Sequence, residues 1–335
     1  MLTKEIWELL ATPTGRATGG FALRRLIPQS KFNAFAAVEE ATGRRFLLLK
    51  SNHSNVRPSH PLPSGRGFEV QFLVTPADPE GSNSLRLELA EPAHADIFDV
   101  VGNDILTNIV QSSDDKAAFE AFVARIVAWQ RFLDELPVSG LTEQSQQGLF
   151  GELWFLRHVL VPEIGPGKAV AAWAGPKNLT KDFQLTGLAF EVKASSAKQH
   201  TSFTISSEVQ LDSQGVGRLI LYGLLLERLS AGGTSLLELV EATRVDLRVD
   251  AAASVRFSEL LLQLGYTDLD AARYTTRFAL RSQHFFDVTG DFPRIVGADL
   301  RAGVGDVHYS IMQSECEHYA ITETDARTLI RATLQ

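Results

Sequence analysis

Twelve residues, Asp182 to Lys193, alternate polar and apolar side chains on either side of a Thr186-Gly187 pair. A period of two belongs to a strand, whose successive side chains point to opposite faces. Gly187 can take the positive φ that a tight turn requires. The stretch therefore predicts a β-hairpin, with Phe190, Val192 and Ala194 on one face and Glu191 and Lys193 on the other. In the first strand Asp182 and Gln184 oppose Phe183 and Leu185. If both apolar faces meet one core, Asp182, Glu191 and Lys193 converge on a single polar surface. Two carboxylates and an ammonium so placed can hold a hard cation and a phosphate together. The blander alternative is a strand-edge Asp beside a surface Glu–Lys pair worth ~0–1 kcal/mol.

The flanking sequence gives the hairpin a setting. Upstream, Thr142 can open a helix from Glu143 to Leu160, closed by Pro162 and Gly165, with Leu149, Leu153, Leu156 and Leu160 as its apolar stripe. Glu152 lies on the border of that stripe, and Gly148 and Gly151 permit another backbone to come close. Downstream, Thr201 to Ile205 reads as a third strand, and Ser207-Glu208-Val209-Gln210 fits a capping box opening a short helix. Arg218 to Leu226 is an apolar run suited to a buried strand. The order of elements is α-β-β-β-α-β.

That order, the spacing Asp182-(x)8-Glu191-x-Lys193 and several accompanying stretches are similar to one protein family. These are Gly148-Leu-Phe-Gly-Glu152, Ser206 to Leu211, Phe292-Pro293-Arg294-Ile295 and Gly303-Val304-Gly305-Asp306-Val307-His308-Tyr309. Together they resemble a bacterial family of PD-(D/E)XK nuclease-like proteins met in restriction and phage-defence clusters. The chain departs from the motif at Lys181, where a Pro is common. The resemblance implies a Mg2+ site with Asp182, Glu191 and the backbone carbonyl of Val192 as ligands, and Glu152 as an additional carboxylate. It implies Lys193 as the residue that orients water or stabilises the phosphorane, with Gln210 among the polar residues nearby. It also implies helicase-like ATPase and methyltransferase partners.

The rest of the chain extends the expectation. Residues 34–38, 45–49, 68–74 and 84–89 look like strands separated by Pro, Gly, Ser and Asn. From Asp96 the period lengthens, with Ile97, Val101, Ile105 and Ile109 on one helix face, and Asp114 can cap a second helix. Beyond Gly232, helices are expected over 235–245 and 254–264, strands over 274–288 and 307–312, and a last helix capped by Thr322. The expected fold is α+β. It has a mostly-β N-terminal domain with helices (1–138), a restriction-endonuclease-like α-β-β-β-α-β core (139–232) and an α/β C-terminal extension (233–335).

Composition narrows the function classes. A single cysteine, Cys316, excludes an internal disulfide framework and a Cys-based zinc cluster. No Gly-x4-Gly-Lys-Ser/Thr stretch occurs, so the chain brings no phosphate-binding loop of its own. No apolar run reaches the ~18 residues of a membrane span, and a cytoplasmic protein is expected. The net charge of −8 argues against a general nucleic-acid coat, yet residues 1–70 carry ten Lys or Arg against five Asp or Glu. DNA contacts are therefore expected from the N-terminal stretch, with Arg44 and Arg45 as candidates, and from Lys177 and Lys198 beside the hairpin. The reading is a Mg2+-dependent DNA endonuclease, with a homodimer plausible for double-strand cutting. The alternative is a non-catalytic DNA-binding or assembly subunit that keeps the fold as a scaffold.

Overall fold

A computed structural model describes residues 2, 4–11, 20–51, 53, 55–59, 61–65, 68–75, 82–89, 95–135, 140–174, 181–197 and 201–334. The chain is mixed α+β and divides into two compact units, Met1–Val138 with Thr267–Leu269, and Ser139–Tyr266 with Asp270–Gln335.

The first unit contains α1 (Lys4–Ala11), six strands and two longer helices. The strands are β1 (Phe21–Arg25), β2 (Asn33–Glu39), β3 (Arg45–Ser51), β4 (Ser64–Gly65), β5 (Phe68–Thr75) and β6 (Ser82–Leu89), followed by α2 (Ala95–Val110) and α3 (Asp115–Glu135). The strands form one antiparallel sheet in the order β1-β2-β3-β6-β5-β4. Alternation puts Ala36, Leu47 and Leu87 on the same face, all buried, and the Phe72 ring meets Phe119 of α3 on that side. The four-residue recurrence in α2 buries Ile97, Val101, Ile105 and Ile109 together, and Asp114 caps α3 by accepting from the Ala117 N–H at 2.8 Å.

The second unit runs through α4 (Glu143–Phe155), α5 (Val161–Ala172), β7 (Phe183–Leu185), β8 (Leu188–Ser195), β9 (Ser202–Ile205) and β10 (Arg218–Leu229). It continues with β11 (Thr234–Ser235), α6 (Leu236–Leu247), α7 (Ala251–Gln263), β12 (Arg277–Asp287), β13 (Tyr309–Met312), α8 (Gln313–Cys316), β14 (Ala320–Ile321) and α9 (Glu323–Ala332). Its main sheet has the order β11-β12-β10-β8-β7, with β10 parallel to β8 and antiparallel to β12. One face packs Phe190, Val192, Ile220 and Tyr222 against Leu153, Phe155 and Leu239 of the helices. The other packs Ala189, Leu219 and Leu221 against Phe203, Ile205, Leu211 and Ile311. Leu219 to Leu226 are buried throughout, as a strand covered on both faces should be.

Three expectations change. The helix from Glu143 does not close at Pro162. It widens by one π turn over Leu156–Leu160 and continues as α5 through Pro162, which has no N–H to offer the His158 carbonyl, and Arg327 Nη2 donates to that carbonyl at 2.9 Å instead. The break is at Gly165, with φ 76°. No helix forms at Ser207–Gln210, and Gln210 Oε1, which a capping box would turn to the Ser207 N–H, accepts the Ser206 N–H at 2.8 Å and Lys193 Nζ at 3.0 Å instead. The third strand, β9, leaves the main sheet to pair with β13, and its Phe203 ring occupies the space where Gly223 lacks a Cβ. Residues 233–335 supply β12, the neighbour of β10 from Ile220↔Asp287 to Leu229↔Arg277.

Candidate active site

The hairpin forms as the alternation predicts. Phe183 pairs with Phe190 and Leu185 with Leu188, and Gly187 takes φ 71° in the turn. β7 is short, so among the described residues its side of β8 has no strand neighbour in the sheet beyond Phe190. Asp182, one residue ahead of β7, covers that gap: its Oδ2 accepts the Val192 N–H at 2.7 Å. The N–H and C=O of one strand residue face the same edge, so the Val192 carbonyl is directed to the edge where Asp182 lies. The same edge is used two residues on, where Gln147 Nε2 donates to the Ala194 carbonyl at 2.7 Å.

Glu152 reaches this edge from α4. A Cβ on Gly151 would lie 2.9 Å from the Ala194 Cβ and 3.4 Å from Val192 Cγ1, so glycine lets the helix approach β8. Gly148 meets open space and has no such role. Glu152 Oε2 accepts the indole N–H of Trp173 at 2.7 Å. Trp173 is therefore more than core packing, a role that no local pattern announced.

Glu191 and Lys193 are not a surface pair. Glu191 is 0% exposed. The Lys193 ammonium approaches Glu191 Oε1 at 2.8 Å as an ion pair, and neither Glu191 oxygen accepts a hydrogen bond of good geometry. Lys193 Nζ also donates to Gln210 Oε1 at 3.0 Å. Lys181, 4% exposed, donates from its ammonium to the Val209 carbonyl.

Burial raises the proton affinity of all three carboxylates, and the charge of Asp182 adds to it at Glu152 and Glu191. Burial, then the charge of Asp182, pushes Glu152 up to about 8, and Glu191 rises to about 8 for the same two reasons. Asp182 is raised by burial, against the pull of Lys193 and the Val192 N–H. Burial alone would lower Lys193, but Glu191 and Asp182 outweigh it and keep the ammonium charged. Lys181 is lowered, chiefly by burial. Glu152, Asp182, Glu191 and Lys193, separate in sequence, thus share one electrostatic environment.

Among the described residues, no three His, Cys, Asp or Glu side chains already form a group ready to hold a metal ion. The donor set fits a hard divalent cation all the same. It consists of oxygens, it is crowded with negative charge, and Glu191 has buried oxygens without a hydrogen bond. Asp182, Glu191 and Glu152 are the residues that would hold it, with the Val192 carbonyl at the same edge.

The candidate nucleic-acid contacts fare differently. Arg44 is committed to Glu39 at 3.0 Å and Glu88 at 2.6 Å, and the Arg45 guanidinium lies 5.2 Å over the Trp7 ring. Lys177 and Lys198 lie outside the described residues. Among the described residues, no helix is long and apolar enough to cross a membrane.

The family model described as "Putative PD-(D/E)XK family member, (DUF4420)" covers residues 3–314. No curated protein and no solved structure matches the chain.

Proposed function

The chain belongs to the DUF4420 family, and on that premise we propose that it is a Mg2+-dependent DNA endonuclease serving as a subunit of a restriction or phage-defence system. The observation that carries the reading is the set of three carboxylates, Glu191 fully buried and Glu152 and Asp182 half-buried, gathered with the Lys193 ammonium at the open edge of β8. Burying such a set is costly unless a cation or protons answer it. Mg2+, when bound, would neutralise phosphoryl charge and lower the pKa of a bound water.

The chain's own residues have distinct tasks. Asp182 and Glu191 supply ligand charge, with Glu152 as a third carboxylate fixed by Trp173. Hydrolysis joins a water oxygen to phosphorus and releases the ester oxygen, and negative charge grows on the phosphoryl oxygens as it does so. Lys193 remains protonated, so it answers that charge electrostatically rather than removing the water's proton. The chain carries no phosphate-binding loop, so any ATP dependence belongs to a helicase-like partner, and a methyltransferase partner fits the same setting.

One observation favours a second reading, a non-catalytic DNA-binding or assembly subunit. Lys193 already occupies Glu191, as an internal cation would in a retired site. A supercoiled-plasmid nicking assay separates the two. Nicking with Mg2+ that stops with EDTA, and is missing in Asp182→Asn, supports the endonuclease. No nicking under any divalent cation supports the scaffold.

A further inference from the structure

The four consecutive residues of the turn after β9 each meet a different part of the second unit. Glu208 accepts the Val307 N–H at 3.0 Å. The Val209 carbonyl accepts the Lys181 ammonium. Gln210 Oε1 accepts Lys193 Nζ at 3.0 Å and the Ser206 N–H at 2.8 Å. The Leu211 carbonyl accepts Arg294 Nη1 at 3.0 Å, and the same nitrogen reaches Ser213 Oγ at 3.2 Å. Arg294 and Val307 belong to the two C-terminal stretches, Phe292–Ile295 and Gly303–Tyr309, to which hydrolysis itself gives no task.

A lysine ammonium is a point charge on a flexible four-carbon stem, and a single contact leaves its direction loose. Lys193 has two, Glu191 on its own strand and Gln210 across from it. The Gln210 oxygen is itself fixed by the Ser206 N–H, so it cannot simply follow the lysine. Lys181 and Arg294 tie the carbonyls on either side of Gln210, one from the hairpin's approach and one from the C-terminal segment.

We propose that residues 208–211 clamp the ammonium of Lys193, with Gln210 as the direct contact and Lys181 and Arg294 as positioning residues that hold the clamp. The proposal rests on the endonuclease reading for its effect on turnover, but not for its effect on structure. A loosened lysine would misplace the charge that meets the phosphorane, which lowers kcat and leaves KM alone.

The test uses Gln210→Leu, Lys181→Met and Arg294→Leu in the full chain, with Arg294→Lys as the conservative variant. Steady-state cleavage of a DNA duplex with Mg2+ should show kcat down by about tenfold in Gln210→Leu with KM nearly unchanged. Arg294→Leu should lose less, Arg294→Lys should recover part of that loss, and adding Arg294→Leu to Gln210→Leu should cost nothing further. A wild-type kcat in Gln210→Leu overturns the clamp, and losses that multiply in the double variant remove Arg294 from it. Amide hydrogen exchange, measured without metal or DNA, should quicken across 203–213 in all three variants while the strands of the main sheet stay protected. Unchanged exchange there overturns the clamp even if activity falls. If the wild-type chain cleaves nothing while exchange responds as expected, the endonuclease reading fails and the clamp stands.

Discussion

Asp182 accepts the backbone N–H of Val192 across a gap of ten residues, at 2.7 Å. The carboxylate is thus both a candidate metal ligand and the partner of a strand N–H that β7 is too short to reach. The two duties separate by substitution. Asp182→Asn keeps an acceptor for the N–H and should fold with a near-normal melting temperature while losing Mg2+ affinity. Asp182→Ala strands a part-buried donor and should cost about 1–3 kcal/mol in denaturant unfolding. Equal stability of the two variants would show that the N–H does not depend on Asp182.

A pH dependence follows from Glu191. In the fold its carboxyl is raised from 4.5 to about 8, first by burial and then by Asp182. The folded chain therefore holds the proton more tightly than the unfolded one. The stability this contributes is complete below about 4.5 and is lost as pH rises through about 8. In EDTA the melting temperature should fall across that window, and Glu191→Gln should flatten the fall. A melting series showing the same slope in both proteins would contradict the shift.

Mg2+ should restore stability at the alkaline end of that window, because it binds the ionised carboxylates of the folded chain only. Titration calorimetry on wild type, Glu191→Gln and Glu152→Gln should show weakened binding in both variants. Unaltered affinity in both would remove these residues from the ligand set.

Lys193→Met should leave DNA binding nearly intact and abolish turnover, since its contact strengthens only as phosphoryl charge develops. It also deprives Glu191 of its cation. The variant should match wild-type stability near pH 6 and fall below it near pH 9, where Glu191 can no longer stay protonated at no cost. Cleavage at the wild-type rate would make Lys193 a structural lysine.

The double substitution Arg44→Ala/Arg45→Ala should act on the fold rather than on DNA. Glu88, 4% exposed, would lose Arg44, and Trp7 would lose the cation over its ring. The melting temperature should drop. The salt slope of DNA binding should stay constant, because Arg44 is already answered by two carboxylates and Arg45 lies over the Trp7 ring. A slope reduced by about one to two units would return these arginines to the DNA interface.

The readable parts of this chain were those governed by short periods. Alternation about Gly187 marked the hairpin, and the recurrence from Ile97 to Ile109 marked α2, because each pattern reports a face that must be buried. Glu191 and Lys193 fell together for the same reason, being two apart on one strand. Trp173, Lys181 and Gln147 stayed hidden, since their partners are 21, 28 and 47 residues away and their own neighbours carry no pattern. Pro162 misled because a proline inside a helical pattern reads as its end, whereas here a π turn and a distant arginine carry the helix through it. β9 misled because a four-residue strand does not declare which sheet will take it.

The position of β12 beside β10 has a consequence for synthesis on the ribosome. The carboxylates and lysine of the hairpin are made well before residues 277–287, which pair with β10 along its length. Until that segment emerges, β10, apolar on both faces, has an unpaired edge. A nascent or prematurely ended chain should therefore be a client for chaperones. Arg294, which ties down the turn beside Lys193, arrives later still. On the endonuclease reading proposed above, a chain with this order of parts would withhold its chemistry until residues 277–294 have been made.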